Sequence, residues 1–362
     1  MNIGMVLADR DFPPDIRVEK EIRALSLKGH TLFVICRGSD QRPSRATWEG
    51  SVIHWIRPLS LLLRKANSII FRLFFFDIQW FISILRIAKK DSLDVIHVHD
   101  LPMCGTALWA GRFLNIPVVV DFHENYPAAI TYYGPLKETL YQKFLAVFNG
   151  GPHWQRYEKR AASQADQVIV VVEEAKERLV RSGIDWEKIS VIENTIDVDH
   201  FLSLDLMQAI IDQYRDVFLI SYIGGYGGGH RGLDTAIQAM PRVREEIPQA
   251  RLLLVGKGSI KPQLEKMVKE LKLEGQVIFE DWRPFAEVPS YIQASQICLV
   301  PHQANPHTEA TSPHKLFQYM LLGKPLVVSS CKPLQRVVEE TKSGVVFRAG
   351  ASEHLAEVIL QL

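Results

Sequence analysis

The chain has 362 residues, 47% of them hydrophobic and 23% charged, which is enough apolar material for two cores of about 100–200 residues each and is not the composition of an extensively disordered protein. Its 42 Lys+Arg against 41 Asp+Glu leave a formal charge of +1, so bulk electrostatics argues for neither a nucleic-acid binder nor a protein of acidic partners, and any basic site is local. Cys36, Cys104, Cys298 and Cys331 are scattered with no C-x-x-C pair, which disfavours a disulfide framework or a zinc site and fits a reducing, cytoplasmic setting.

The first residues read as a strand start rather than a leader. Short β-branched runs at 3–8, 32–36, 52–56, 95–98, 118–122 and 168–172 alternate with amphipathic stretches such as 16–28, closed by Gly29, and 102–114. This βαβα rhythm predicts a parallel sheet with helices on both faces, and the nearly all-apolar runs suit strands covered on both sides. The segment 69–88, IIFRLFFFDIQWFISILRIA, is about long enough to span a bilayer. Arg72, Asp77 and Arg86 would be costly at mid-membrane, so spanning is disfavoured. Arg57, Arg64, Lys65, Lys89 and Lys90 flank it. It is read as a helix packed on the N-terminal sheet, with peripheral contact of 57–90 with the anionic inner face of a membrane as the alternative.

The rhythm breaks after 191–194 and passes through a polar stretch to about residue 216. It restarts with strand 218–223, helix 231–246, strand 251–255, helix 260–271 and strand 277–279. Strand 296–300, helix 313–322, strand 326–328 and helix 334–341 follow. The expectation is an α/β protein of two doubly wound, Rossmann-like units, 1–195 and 196–362. Ligands of open parallel sheets bind beyond the carboxyl ends of the strands. Two such edges facing each other would form a cleft, where the chemistry is expected.

Three motifs carry chemistry. The loop Gly224-Gly225-Tyr226-Gly227-Gly228-Gly229-His230-Arg231-Gly232 follows the second unit's opening strand. Glycines there admit a ligand close to the backbone, the next helix offers free N–H groups, and Arg231 adds a fixed charge. Gly227, Gly229 and Gly232 spell G-x-G-x-x-G, but the ribose-binding acid expected about 20 residues on is absent. Gly256-Lys257-Gly258 stands there instead, which favours a phosphate loop over a dinucleotide site. In the second motif, Ser312-Pro313 reads as an N-cap with proline at the first helical position. Lys315 in that first turn opposes the helix dipole unless it faces an anion, and Gln318, a turn on, is placed to bond a ribose. The third is Asp121-Phe122-His123-Glu124 at the end of an N-terminal strand, where His123 and a carboxylate could contact a sugar or assist proton transfer. His97 and His99, two apart on a strand with Asp100 next, share a face, but no third His or Cys ligand is identifiable and no metal is expected.

With these motifs placed, the chain resembles the retaining GT-B-fold glycosyltransferases of family 4. The resemblance runs through Pro13-Pro14-Asp15-Ile16-Arg17-Val18-Glu19-Lys20-Glu21, Asp94-Val95-Ile96-His97-Val98-His99, Asp121-Phe122-His123 and Ile192-Glu193-Asn194-Thr195. Its most specific part is 312–328, SPHKLFQYMLLGKPLVV. It implies a UDP- or GDP-linked sugar donor in the C-terminal domain, a glycan or lipid-linked acceptor on the N-terminal domain, and no metal or other cofactor. Arg231 matches the second residue of the family's basic pair. The first falls near Gly225, so Lys315 would share that load. His123 matches the histidine that contacts the donor sugar. The family's paired glutamates fall on Ala310 and Gln318, with Glu309 one residue early as a candidate for the sugar-contact role. Gly225, Gly227, Gly229, Lys257, Arg283, Thr311, Ser312 and Gln318 are the expected donor-binding residues, and His123, Arg231, Lys315 and Glu309 the expected catalytic ones. Family members continue with a helix beyond the equivalent of Leu362, whereas here the sequence ends inside a helical pattern at 353–362, and a shortened protein is expected. The altered glutamates keep two alternatives open, an inactive donor-binding scaffold and a sugar-nucleotide epimerase.

Overall fold

The computed structural model describes residues 1–7, 12–39, 43–133 and 150–362. The chain divides into two compact units, Met1–Glu193 and Asn194–Leu362.

The first unit is built on eight strands: β1 Asn2–Leu7, β2 Thr31–Arg37, β3 Arg45–Trp48, β4 Ser51–Ile56, β5 Val95–His99, β6 Val118–Phe122, β7 Gln167–Val170 and β8 Ile189–Val191. Their order is β3-β4-β2-β1-β5-β6-β7-β8. Every pairing is parallel except β3 with β4, an antiparallel edge. The chain runs outward from β1 and then returns to its other side at β5, so the strand order reverses between β1 and β5. That is the place where such sheets bind ligands. Met5, Val6, Val34, Ile96, Val98 and Val120 are fully buried, as strands covered on both faces require. Of the expected strand 3–8, Ala8 lies outside the described residues.

The expectation of one helix over 69–88 is corrected. Two helices, Leu61–Phe74 and Ile78–Asp91, meet at 91°. Phe75 closes the first in the left-handed region (φ 52°), with its amide on the Phe71 carbonyl. Asp77 then caps the second by accepting from the Trp80 amide at 3.0 Å. A left-handed stop followed directly by an acidic cap overrides the continuous apolar pattern. The second helix buries Trp80, Ile84 and Ala88, whereas the first buries no residue fully. Leu61, Leu62, Leu63, Ile69, Leu73 and Phe74 are all exposed. No single helix among the described residues is long and apolar enough to cross a membrane, although this bent pair meets the test together.

The second unit has six strands, β9 Phe218–Ile223, β10 Ala250–Val255, β11 Val277–Glu280, β12 Ile297–Val300, β13 Leu326–Ser329 and β14 Gly344–Phe347, in the order β11-β10-β9-β12-β13-β14. All pairings are parallel, and the order reverses between β9 and β12. Alternate residues of β9 feed the two faces: Ile220 and Tyr222 join one core, Leu219 and Ile223 the other.

Candidate functional site

Two polar centres lie at carboxyl edges, one in each unit. In the first unit, β5 ends in His97-Val98-His99 and β6 in Asp121-Phe122, with His99 in register beside Asp121. Helix Ile16–Leu27 is capped by Asp15, whose carboxylate accepts from the Arg17 and Val18 amides at 3.1 Å. One turn of that helix then presents Arg17 and Glu21 to the strand ends. Arg17 donates to the two Asp121 oxygens at 3.0 and 2.9 Å and to the Ile192 carbonyl at 3.0 Å. Its Nε is 3.0 Å from Glu21. His123 places Nε2 3.2 Å from His99 Nδ1 and 3.4 Å from Asp121, with Nδ1 3.4 Å from Asp100.

The charges in this cluster answer one another. Burial pushes the His123 imidazole down, but Asp100 and Asp121 outweigh it and raise its pKa to about 9. Burial would raise Asp121, yet His123 and Arg17 hold it well below the usual carboxylate range. Burial and the neighbouring His97 keep His99 well below the ordinary histidine value, so a neutral His99 can accept the proton that a charged His123 offers. His123 is therefore a positioned imidazolium at neutral pH.

The sequence pointed to no third His or Cys ligand near His97 and His99, and what the fold brings to them is two carboxylates. Glu21, His97, His99 and Asp121 each bring a ligand atom within 4.8 Å of the others, a grouping that could hold a metal ion. Arg17 nonetheless engages both carboxylates, and a cation there would share its ligands with a guanidinium. The roles of Arg17 and Glu21 went unassigned from the sequence. Their signal was a charged i,i+4 pair on the face that the helix buries with Val18 and Ile22.

In the second unit the loop after β9 folds around Gly224, which sits at φ 145°, and a Cβ there would lie 2.4 Å from Lys315 Nζ. Tyr222 donates to the Gly225 carbonyl at 3.0 Å, and buried Tyr226 donates to the Leu254 carbonyl. Both bonds fix the loop. Gly256 and Gly258 serve that packing: a Cβ at either would strike the backbone of Gly224 or Tyr226 at 2.2–2.3 Å. Gly227 and Gly229 face open space.

Two helix starts are corrected. Arg231 does not open the helix expected at 231–246. Gly229–Arg231 form a 3-10 turn, Gly232 is left-handed (φ 65°), and the helix is Leu233–Glu246. A Cβ at Gly232 would lie 1.7 Å from the Pro301 carbonyl, which forces the break. Nor is Ser312 the N-cap. Pro313 is extended (φ −81°, ψ 142°), so the cap moves one residue and the helix is His314–Leu321, without a side-chain cap bond. Ser312 is held instead by its carbonyl, which accepts from Asn194 Nδ2 at 2.9 Å, and its buried hydroxyl has no partner among the described residues.

Lys315 is 8% exposed. Its ammonium has no hydrogen-bond partner among the described residues and lies 3.2 Å from the Tyr222 ring centroid. Burial and the Arg231 charge push its pKa well below the ordinary lysine range. Arg231 Nη1 is 3.4 Å from His302 Nε2, and its Nε has no partner. Burial and Arg231 push His302 well down and His230 to about 3, so both imidazoles are neutral. Two basic side chains and a hydroxyl thus belong to this helix start and the loop beside it, with no carboxylate paired to them among the described residues, and the complement of that set is an anion with several acceptor oxygens.

The remaining expected residues divide between this helix and other partners. Gln318 is buried one turn into the helix and Thr311 half-buried just before it. Glu309 accepts from the Lys332 amide at 3.2 Å and so sits at the start of the next helix, Lys332–Thr341. Lys257 lies 5.5 Å over the Trp282 ring, and Arg283 pairs with Glu280. Both are exposed and engaged away from Lys315.

Two parallel α/β units with these strand orders define a GT-B fold. The HepE protein of Anabaena, solved in complex with UDP, matches with a TM-score of 0.71 at 16% identity, over 100% of this chain and 89% of that one. Residues 16–200 match Glycosyltransferase Family 4 and residues 218–362 match Glycosyl transferases group 1; the chain belongs to glycosyltransferase family 4. It is 24% identical over 232 residues to the UDP-Gal:alpha-D-GlcNAc-diphosphoundecaprenol alpha-1,3-galactosyltransferase of Escherichia coli, a match covering 62% of this chain and 56% of that protein. It is 23% identical over 276 residues to the phosphatidyl-myo-inositol mannosyltransferase of Mycobacterium leprae, covering 75% and 64%. These matches span less than two thirds of the length of either relative.

Proposed function

We propose that the protein is a retaining glycosyltransferase that moves a sugar from a nucleotide diphosphate sugar to a lipid-linked or glycolipid acceptor. The donor diphosphate is assigned to the second unit and the acceptor to the first. The observation that carries this is the Lys315 ammonium, buried beside Gly224 and Arg231 without a hydrogen-bond partner among the described residues. The named activities of the two enzyme relatives, and the UDP bound by HepE, support the substrate class.

In the chemistry proposed, the bond from the sugar's anomeric carbon to the phosphate oxygen breaks as the acceptor oxygen bonds to the same face of that carbon. The acceptor proton passes to the departing phosphate oxygen. Lys315, Arg231 and the first-turn amides of helix His314–Leu321 stabilise the charge that builds on the diphosphate, a preorganised electrostatic contribution that needs no metal. His123, held as an imidazolium, would contact a sugar hydroxyl. The exposed leucines of helix Leu61–Phe74 would let 57–90 rest on a membrane that carries the acceptor.

The test is a thermal-shift screen over UDP- and GDP-linked sugars, since a ligand of the native state raises the melting temperature. A shift with one nucleotide series that disappears in Lys315→Ala supports the reading. Equal shifts in wild type and variant, or none with any donor, overturn it.

A further inference from the structure

The carboxyl ends of β5 and β6 gather more polar atoms than the ion pairs there use. His97 and His99 stand two apart on β5 and so project from one face of the sheet. Asp121 is in register beside His99 on β6, and helix Ile16–Leu27 brings Glu21 to the same place. Each of the four is at most 8% exposed. Among the described residues, both Glu21 oxygens and the Nε2 atoms of His97 and His99 have no hydrogen-bond partner. Buried polar groups are nearly always partnered, so orphan atoms from three side chains at one place ask for a common partner.

The spacing says what that partner is. His99 Nε2 lies 3.9 Å from Glu21 Oε2, and His97 Nε2 lies 3.6 Å from Asp121 Oδ2. Four ligands around a tetrahedral ion, at bonds of about 2.0–2.1 Å, stand about 3.3–3.4 Å apart. Both pairs are a few tenths of an ångström from that spacing. Arg17 is compatible with an ion here. A carboxylate has about four lone-pair sites, and Arg17 lies 3.0 Å from Glu21 Oε1 while Oε2 faces His99. Carboxylates that hold a metal are ordinarily hydrogen-bonded in turn by neighbouring groups, the part Arg17 plays for Asp121. Charge agrees as well. With Glu21 ionised, as a ligand must be, Glu21, Asp121 and Asp100 outnumber Arg17 and His123 by one negative charge.

We infer that Glu21, His97, His99 and Asp121 form a binding site for one divalent ion of the zinc class. Two imidazoles with two carboxylates suit Zn²⁺ or Co²⁺, whereas Mg²⁺ and Ca²⁺ prefer oxygen alone. Four protein ligands leave no open position, so the ion ties helix Ile16–Leu27 to the ends of β5 and β6 and activates no water. Ligation through His99 Nε2 displaces the proton held there, and the proton that His123 offers passes to His99 Nδ1. The site lies within the first unit and is independent of the donor reading.

The test is metal titration of the full chain after treatment with a chelator and desalting. Co²⁺ should bind once per chain with the intense visible absorption of a tetrahedral site. Zn²⁺ should displace it and raise the melting temperature, and Mg²⁺ should do neither. His97→Gln and Glu21→Gln each remove one ligand and should weaken Zn²⁺ by about a hundredfold or more, at or above the cost of losing a group that only supports a ligand. A metal-free melt checks that each variant folds. Glu21→Gln keeps the size of its side chain, so it carries the comparison if His97→Gln does not fold. Equal Zn²⁺ affinity in wild type and folded variant places the ion elsewhere and overturns the inference. Failure of the wild type to bind either ion, or Co²⁺ bound with only the weak absorption of an octahedral site, overturns it without any variant.

Discussion

The two units place polar clusters at equivalent edges of parallel sheets, yet the clusters are opposite in electrostatic state. In the first, Arg17 and His123 face Asp121, Asp100 and Glu21, and each buried charge has a counter-charge within 2.9–3.4 Å. In the second, Lys315 and Arg231 lie among neutral imidazoles with no carboxylate paired to them among the described residues. The difference teaches what each centre needs. The first pairs Arg17 and His123 with carboxylates inside the fold, so it can hold His123 in one place and one charge state without an anionic ligand. The second is held under electrostatic strain, which a bound diphosphate would relieve.

Removing a cation from each centre should separate them. Arg17→Met leaves Asp121 buried without its guanidinium partner, and breaking a buried pair costs about 3–5 kcal/mol. The denaturant midpoint should fall accordingly, and a loss below about 1 kcal/mol would show that the cluster is not the closed network described. Lys315→Met should behave in the opposite way. It replaces an unpaired buried ammonium, so stability without ligand should hold or rise. Turnover should drop by on the order of a hundredfold, as for loss of one group that stabilises transition-state charge. A variant that is both destabilised by several kcal/mol and still active would erase the distinction between the centres.

The architecture was largely legible from the chain. Strands buried on both faces leave continuous apolar runs, and helices between them leave 3.6-residue periodicity, so the two-unit α/β layout follows from pattern alone. Three things were hidden, each for a physical reason. The bend at Phe75-Asp77 depends on a left-handed residue that no composition rule forces, because phenylalanine rarely adopts it. The break at Gly232 is set by contact with the Pro301 carbonyl, 69 residues away in the chain. The Arg17–Asp121 pairing joins residues 104 apart, and only the strand order brings them together. Lys315 was the better signal, because a lysine in a first helical turn is locally unfavourable and asks for an explanation.

The same contrast predicts a stability profile limited on each side by a different unit. His123 has a folded pKa of about 9 against an ordinary 6.5, faced by Asp100, Asp121, Glu21, Arg17 and His99. Its contribution is complete below pH 6.5 and is lost as pH rises through 9, at up to about 1.4 kcal/mol per pH unit. Unfolding free energies measured across that window should decline in wild type and flatten in His123→Asn. His230, pushed to about 3 by burial and Arg231, is neutral in the fold. Its contribution is present above pH 6.5 and is lost as pH falls toward 3. A wild-type profile that stays flat from 6.5 to 9 would remove the imidazolium from the first centre.

The smallest effect, and the most informative about the donor site, is expected at Gln318. The resemblance to family 4 puts a glutamate there, to bond a ribose hydroxyl. Gln318→Glu would strengthen that bond by charge assistance, which roughly doubles the worth of a hydrogen bond and predicts a severalfold tighter affinity for UDP. It would also place a carboxylate one turn from Lys315, supplying the counter-charge that the second centre lacks. If the new carboxylate pairs with Lys315 instead of the ribose, UDP affinity falls while the ligand-free protein becomes more stable. Calorimetry with UDP beside a ligand-free melt therefore reads which neighbour Gln318 faces. Tighter binding at unchanged stability places it on the ribose, and weaker binding at higher stability would take it out of the donor site.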